Sequence, residues 1–187
     1  MVQFVGTHML CYDNIRKKEN REDIMSDAEK KLKTVDESRT EMTKLLRYAD
    51  INGQNRLFGG QLLAWIDEVA GVAAMRHCGG QVTTCAIDNL RFKEGAVLND
   101  IIVLIARVTH VGNTSMEVRV DTYKEDRKTG LRYLINHAYL VMVSVDEEGH
   151  PKPIPYGLEL KNDTERMEWE GAVKRREGRK YREKQGF

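Results

Sequence analysis

The chain has 187 residues, of which 41% are hydrophobic and 32% charged, with a formal net charge of +1. That size fits one domain with some surplus; the apolar content excludes a wholly disordered chain, and the balanced charge argues against a dedicated nucleic-acid binder. No apolar run reaches the roughly 18–20 residues that span a bilayer, and no charged segment followed by an apolar one opens the chain, so the expectation is a soluble cytoplasmic protein with no nucleic-acid or membrane partner.

Residues 1–37 are polar and weakly periodic, with a dense run of charge from Asp13 to Lys33. They read as a disordered or partly helical arm. Within it Gly6-Thr7-His8-Met9 looks like an appended linker, and Met25 would serve as a natural start. Thr40 to Tyr48 is a candidate first strand, followed by turn chemistry at Asp50-Ile-Asn-Gly-Gln-Asn55. Phe58 to Cys78 then reads as a helix of about 18 residues, with Arg76 and His77 in its last turn and a Gly79-Gly80 stop. It is apolar almost all round and is expected to be buried.

Four strand-like runs follow, Val82 to Phe92, Ile101 to Val111, Ser115 to Tyr123 and Tyr133 to Val145. The third alternates Met116, Val118 and Val120 with Glu117, Arg119 and Asp121, the pattern of a half-exposed strand. Short links such as Val111-Gly-Asn-Thr114 suit antiparallel hairpins. All three prolines fall in His150-Pro-Lys-Pro-Ile-Pro155, which must be extended. Glu165 to Lys184 can form a charged surface helix with a basic end. The order predicts an α+β domain over 38–160, an antiparallel sheet wrapped around one helix, with a basic tail over 161–187.

The three cysteines are odd in number and lack C-x-x-C spacing, and no two of the five histidines form an H-x-x-x-H pair. Neither a disulfide framework nor a metal site is expected. The feature with most chemical content is Asp67, inside the long helix among Leu63, Ala70, Gly71 and Ala74. A buried carboxylate costs several kcal/mol unless paired. Either Asp67 faces solvent at a helix edge, or it lines a pocket as base or nucleophile. Gly59-Gly60 at the helix start leave backbone N–H groups uncovered at the positive end of the dipole, an oxyanion site or simply a place of close packing. Gly60 and Asp67 are seven residues apart, about 10 Å along the axis. If both act on one substrate, Asp67 must come from a second chain lying antiparallel across a two-fold axis, which predicts an obligate dimer.

The stretches Ala49-Asp-Ile-Asn-Gly-Gln-Asn-Arg-Leu-Phe-Gly-Gly60, Ile66-Asp-Glu-Val-Ala-Gly71, Arg76-His-Cys78, Val111-Gly-Asn-Thr-Ser115 and Val145-Asp-Glu-Glu-Gly149 resemble the hotdog-fold acyl-CoA thioesterases, in particular the YciA-like bacterial enzymes and the brain-type cytosolic acyl-CoA hydrolases. The resemblance covers about residues 38–185. It implies a curved antiparallel sheet around a long helix, and hydrolysis of acyl-CoA to a fatty acid and coenzyme A. It implies that Asp67 is catalytic, that Asn52 partners it from the opposing protomer, and that Thr84 assists, with Thr83 adjacent. It implies a homohexamer built as a trimer of dimers. Gly59 and Gly60 would hold the oxyanion. No cofactor is implied, because coenzyme A is part of the substrate. Its phosphates call for basic groups, for which Arg91, Lys93, Arg132, Arg179 and Lys180 are candidates, and Asn113, Thr114 and Ser115 form the turn that resembles the family's CoA-contacting loop. Trp65, His77 and His137 read as structural, His77 as a favourable charge at the helix end. A non-catalytic acyl-CoA sensor of the same fold is the alternative, set apart by binding without turnover. A hotdog dehydratase would need a histidine near the acid, and the helix offers His77 only at its far end.

Overall fold

The computed structural model of the chain describes residues 30–186, apart from 89 and 92. The elements in order are β1 (Lys31–Thr34), the single turn α1 (Val35–Ser38), β2 (Thr40–Leu45), α2 (Gly59–Cys78), β3 (Gln81–Asp88), β4 (Ile101–Val111), β5 (Ser115–Glu125), β6 (Arg132–Val145), β7 (Tyr156–Glu159) and α3 (Asp163–Gln185). Five strands form one antiparallel sheet in the order β2-β4-β5-β6-β3. β1 and β7 make a separate parallel pair. This is the hotdog arrangement, a curled sheet around α2.

Strand alternation builds the core. Ile102, Leu104, Ala106 and Val108 of β4, Met116, Val118 and Val120 of β5, and Ala138, Leu140 and Met142 of β6 share one buried face. They pack on Ile66, Val69, Ala70 and Ala73 of α2, which are fully shielded from solvent. The glycine stop holds as expected, with Gly79 at φ 71° closing α2 through its N–H to the Met75 carbonyl. α2 is not buried all round, however. Gly60, Ala64, Asp67, Glu68, Met75 and Arg76 are exposed, because the chain's own sheet covers only one side of it.

The opposite face of β5 differs from its sequence reading. Glu117 and Asp121 are only 3% and 1% exposed. α3 lies over them, and arginines replace water as their partners. Arg175 donates to both Glu117 oxygens, Arg107 and Arg119 pair with Asp121, and Glu168 of α3 pairs with Arg119. Polar alternation marks the face away from the core; it does not say whether water or a charged helix covers that face.

Element ends moved by a few residues. The first strand stops at Leu45, and Tyr48–Asp50 coil into a 3-10 turn. β3 stops at Asp88, and Phe92, its expected end, lies outside the described residues. α3 starts at Asp163, where the Asn162 side chain accepts the Glu165 N–H at 2.9 Å. Lys31–Glu37, read from sequence as part of the arm, instead lie in β1 and, with Ser38, in α1. The linker-like segment and Met25 lie outside the described residues. The proline stretch is extended, and Ile154 is fully buried with its N–H on the Asn113 carbonyl. Among the described residues no helix is long and apolar enough to cross a membrane.

Candidate active site on the exposed face of the long helix

The start of α2 is left open. Its N-cap residue is Phe58, which has no side-chain acceptor for the first N–H groups, so those of Gly59 and Gly60 stand at the positive end of the dipole without a cap. Gly60 also has a packing reason. A Cβ there would lie 2.6 Å from the Phe58 ring, so the glycine lets that ring fold against the helix. Close packing and open N–H groups therefore coexist, and the Phe58 ring supplies the packing.

Two turns on, Asp67 projects from the exposed side of α2. The Thr84 hydroxyl donates to its Oδ1 at 2.5 Å. Thr84 reaches it from a bulge in β3, where the register against β6 slips between Thr84 and Ala86. A bulge bends a strand and re-aims its side chains. Thr84 Oγ1 also lies 3.5 Å from the Met142 thioether sulfur, directly opposite on β6. Thr83, one residue earlier on the strand, points to the other face. The couple is therefore Asp67–Thr84. Oδ1 is held, and Oδ2 has no hydrogen-bond partner among the described residues.

Asn52 sits in the loop before α2. Its side-chain oxygen accepts the N–H groups of Gln54 and Arg56, at 2.9 and 3.2 Å, and Asn55 closes the turn at φ 56°. These bonds fix the side chain with its amide nitrogen free of partners among the described residues. The loop precedes the helix start, and among the described residues no hydrogen bond joins Asn52 to Asp67 of its own chain. Within one chain the structure joins Asp67 to Thr84 and, separately, Asn52 to the loop before Gly59-Gly60; it does not join the two groups.

The expected coenzyme A contacts separate in the same way. Asn113, Thr114 and Ser115 form the β4–β5 turn, held by Ser144 N–H on the Thr114 carbonyl and by Ile154 N–H on that of Asn113. Ser115 pairs with Val143, one residue from Met142, which places this turn two strands from Thr84, about 10 Å across the sheet. Arg91 and Lys93 are exposed after β3 and have no carboxylate partner among the described residues. Their loop is pinned by the fully buried Asn136, whose Nδ2 donates to the Arg91 carbonyl at 2.7 Å. Arg132 is ten positions from Met142 along β6, about 30 Å, and is committed to Glu41 and Glu125, whose hydrogen bonds hold its pKa above the ordinary value. Arg179 is committed to Asp88 at 2.5 Å, with Glu117 nearby. Lys180 is exposed on α3.

Two groups were not readable from sequence as they stand. His77 is fully buried, and burial pushes its imidazole pKa down, so it does not carry the helix-end charge. Lys33 of β1 does this instead, donating to the Arg76 and His77 carbonyls at 2.8 and 3.0 Å. Met142 was visible only as one apolar residue in a strand; its place beneath Thr84 depends on the β3–β6 register. Trp65 is buried in the core, and His137 is half-buried in β6, as expected.

A family model described as Thioesterase superfamily matches residues 54–131. The chain is 36% identical over 148 residues to a Bacillus subtilis protein named uncharacterized acyl-CoA thioester hydrolase YkhA, covering 79% of this chain and 86% of that one. It is similar to the crystal structure of an apo-hexameric acyl-CoA thioesterase, with TM-score 0.77 and 41% identity over 81% of this chain and 97% of the other. It is also similar to the Staphylococcus aureus acyl-CoA hydrolase solved with butyryl coenzyme A, coenzyme A and coenzyme A disulfide, with TM-score 0.75 and 34% identity over 82% and 95%. Solved variants of that hydrolase replace one Asn, one Asp and one Thr by Ala, at positions 15 and then 17 residues apart. Asn52, Asp67 and Thr84 stand at the same two spacings.

Proposed function

The chain belongs to the thioesterase superfamily, and from that premise we propose that it hydrolyses acyl-CoA thioesters to a free fatty acid and coenzyme A, with Asp67 as the base. The observation that carries the proposal is the Thr84 hydroxyl on Asp67 Oδ1. A carboxylate tied at one oxygen and open at the other is oriented to take a proton from water. The names of the relatives and the complexes of the Staphylococcus aureus hydrolase support the substrate class. The shared Asn, Asp and Thr spacing supports the choice of residues.

The chemistry runs across two protomers. Two copies of α2 pack antiparallel through the exposed face that carries Gly60, Ala64 and Asp67. Gly60 N–H of the partner subunit, with Gly59 beside it, receives the thioester carbonyl oxygen. Water attacks the carbonyl carbon while Asp67 Oδ2 accepts its proton. The oxyanion collapses, the C–S bond breaks, and the thiolate leaves with the proton that Asp67 returns. A free thiol has a pKa of about 8.5, so it departs with little acid assistance. Asn52 of the partner subunit orients the water or the acyl group. Arg91, Lys93 and the Asn113–Ser115 turn meet the phosphates. Arg132 and Arg179 already balance carboxylates and are weaker choices. The dimers assemble further into a hexamer, as the solved apo-hexameric neighbour does.

Thiol release from palmitoyl-CoA tests the central claim. Asp67→Asn keeps size and removes the base, so kcat is expected to fall by about 100-fold or more while KM and the circular dichroism spectrum stay near wild type. Undiminished turnover by the variant would remove Asp67 from the mechanism. Binding of acyl-CoA by the wild type without turnover would favour a sensor.

A further inference from the structure

Gly71 lies in the middle of α2, where glycine costs about 1 kcal/mol against alanine. The chain's own fold gives no reason for it. Its φ is not among the positive values, which belong to Gly79, Gly130, Gly149 and Gly186. A Cβ there would meet only the Met142 Cε, at 3.9 Å, an ordinary contact. Gly60, by contrast, has the Phe58 ring against it.

The proposed helix pairing gives no reason either. With Gly60 of one protomer opposite Asp67 of the other, the two-fold axis passes between Leu63 and Ala64. Gly71 then faces Arg56 of the partner subunit. That residue precedes the start of α2 at Gly59. The partner helix has ended before it reaches Gly71, so close approach of two helices does not demand a glycine here.

A ligand does. Gly71 is one turn beyond Asp67 on the same face, about 6 Å along the axis. Beyond Asp67, the groups of its own chain along this face are apolar. Met142 supplies the floor with its terminal methyl. Val82, two residues before Thr84, shares that residue's face of β3. Met75 continues the face one turn on and is 43% exposed. We infer that Gly71 opens a notch for the first methylenes of the acyl chain, which then runs over Met75, Val82 and Met142 toward the end of α2. Gly71 is thus a residue that sets acyl-chain specificity. The inference rests on the Asp67–Thr84 reading.

Rates for acetyl-, hexanoyl- and palmitoyl-CoA test it, with wild type, Gly71→Ala, Gly71→Leu and Asp67→Asn, alongside sedimentation and thermal melts. One misplaced carbon in an apolar pocket changes kcat/KM by about 10-fold or more. Gly71→Ala should therefore keep acetyl-CoA turnover within about threefold and lower palmitoyl-CoA turnover about 10-fold or more. Gly71→Leu should leave only acetyl-CoA as a substrate. Both should remain dimeric and melt no lower than wild type. Equal losses at every chain length, no change at any, dissociation of the dimer, or a wild type that hydrolyses acetyl-CoA alone would each overturn the inference. If these occur while Asp67→Asn is inactive, the notch fails and the catalytic reading stands. An active Asp67→Asn overturns both.

Discussion

Thr84 has one hydroxyl hydrogen and two neighbours that could take it, Asp67 Oδ1 at 2.5 Å and Met142 Sδ at 3.5 Å. The carboxylate is the stronger acceptor by far, so the hydrogen belongs to Asp67 while that group is ionised. A hydrogen bond to a charged group is worth about 1.5–3 kcal/mol, and here it also fixes which oxygen is left for the proposed proton transfer. Thr84→Val keeps the branched shape and removes the bond. Its kcat is expected to fall about 10-fold or more, with KM little changed. Thr84→Ser should recover most of the loss. A steady-state comparison of the three enzymes checks this; a Val variant with wild-type kcat would leave Thr84 a packing residue. The pairing was half legible in the sequence. Asn52, Asp67 and Thr84 were marked by motif resemblance, and Asp67 also by being a carboxylate among apolar neighbours. That Thr84 touches Asp67 depends on a bulge in β3, and the bulge has no signature in the residues that form it.

The elements beyond the main sheet show a different limit. Four of its five strands and the long helix follow from periodicity, because one face of each is packed against the other. β1 and β7 are four residues each and pair in parallel, too short for any period to show. What holds them is particular. Lys33 bonds the last carbonyls of α2, and its ammonium lies 4.1 Å from the centre of the Tyr156 ring. His77 is buried beneath, with Nε2 3.4 Å from the Tyr156 carbonyl and no partner for Nδ1 among the described residues. Burial holds the imidazole below its ordinary pKa; Lys33 lowers it further, while the Tyr156 carbonyl and Glu37 act the other way. The unfolded chain therefore binds a proton at a pH where the folded chain does not. The stability this gives is complete above the unfolded value of about 6.5 and is lost as the pH falls from there toward the folded value. His137 adds an effect of the same sign, again led by burial. The urea midpoint should drop between pH 7.5 and 5.5, and His77→Gln should make that drop shallower. Equal slopes for the two proteins would show that His77 titrates alike in both states.

At the scale of the whole molecule, the proposed mechanism needs groups that one chain does not bring together. Asp67 and Thr84 lie in the middle of α2 and on β3, whereas the open N–H groups lie at the start of the helix, about 10 Å away along its axis, and Asn52 lies in the loop before it. The helix face between them is exposed and carries Gly60, Ala64 and Asp67, with Phe58 56% exposed at one end. Under the proposed mechanism a second copy lies across this face, since a two-fold axis completes both sites at once. That arrangement has a consequence no single-chain site shares. Asp67→Ala and Asn52→Ala each spoil both sites of a homodimer. In a mixed dimer one site receives both lesions and the other receives neither. Refolding or co-expressing the two inactive proteins in equal amounts gives mixed dimers in about half the population, each with one good site of two. Activity should return to about a quarter of wild type, and should not return when either variant is mixed with itself. Were Asn52 and Asp67 to serve the same site within one chain, every chain in the mixture would carry a lesion and the activity would stay at the level of the separate variants.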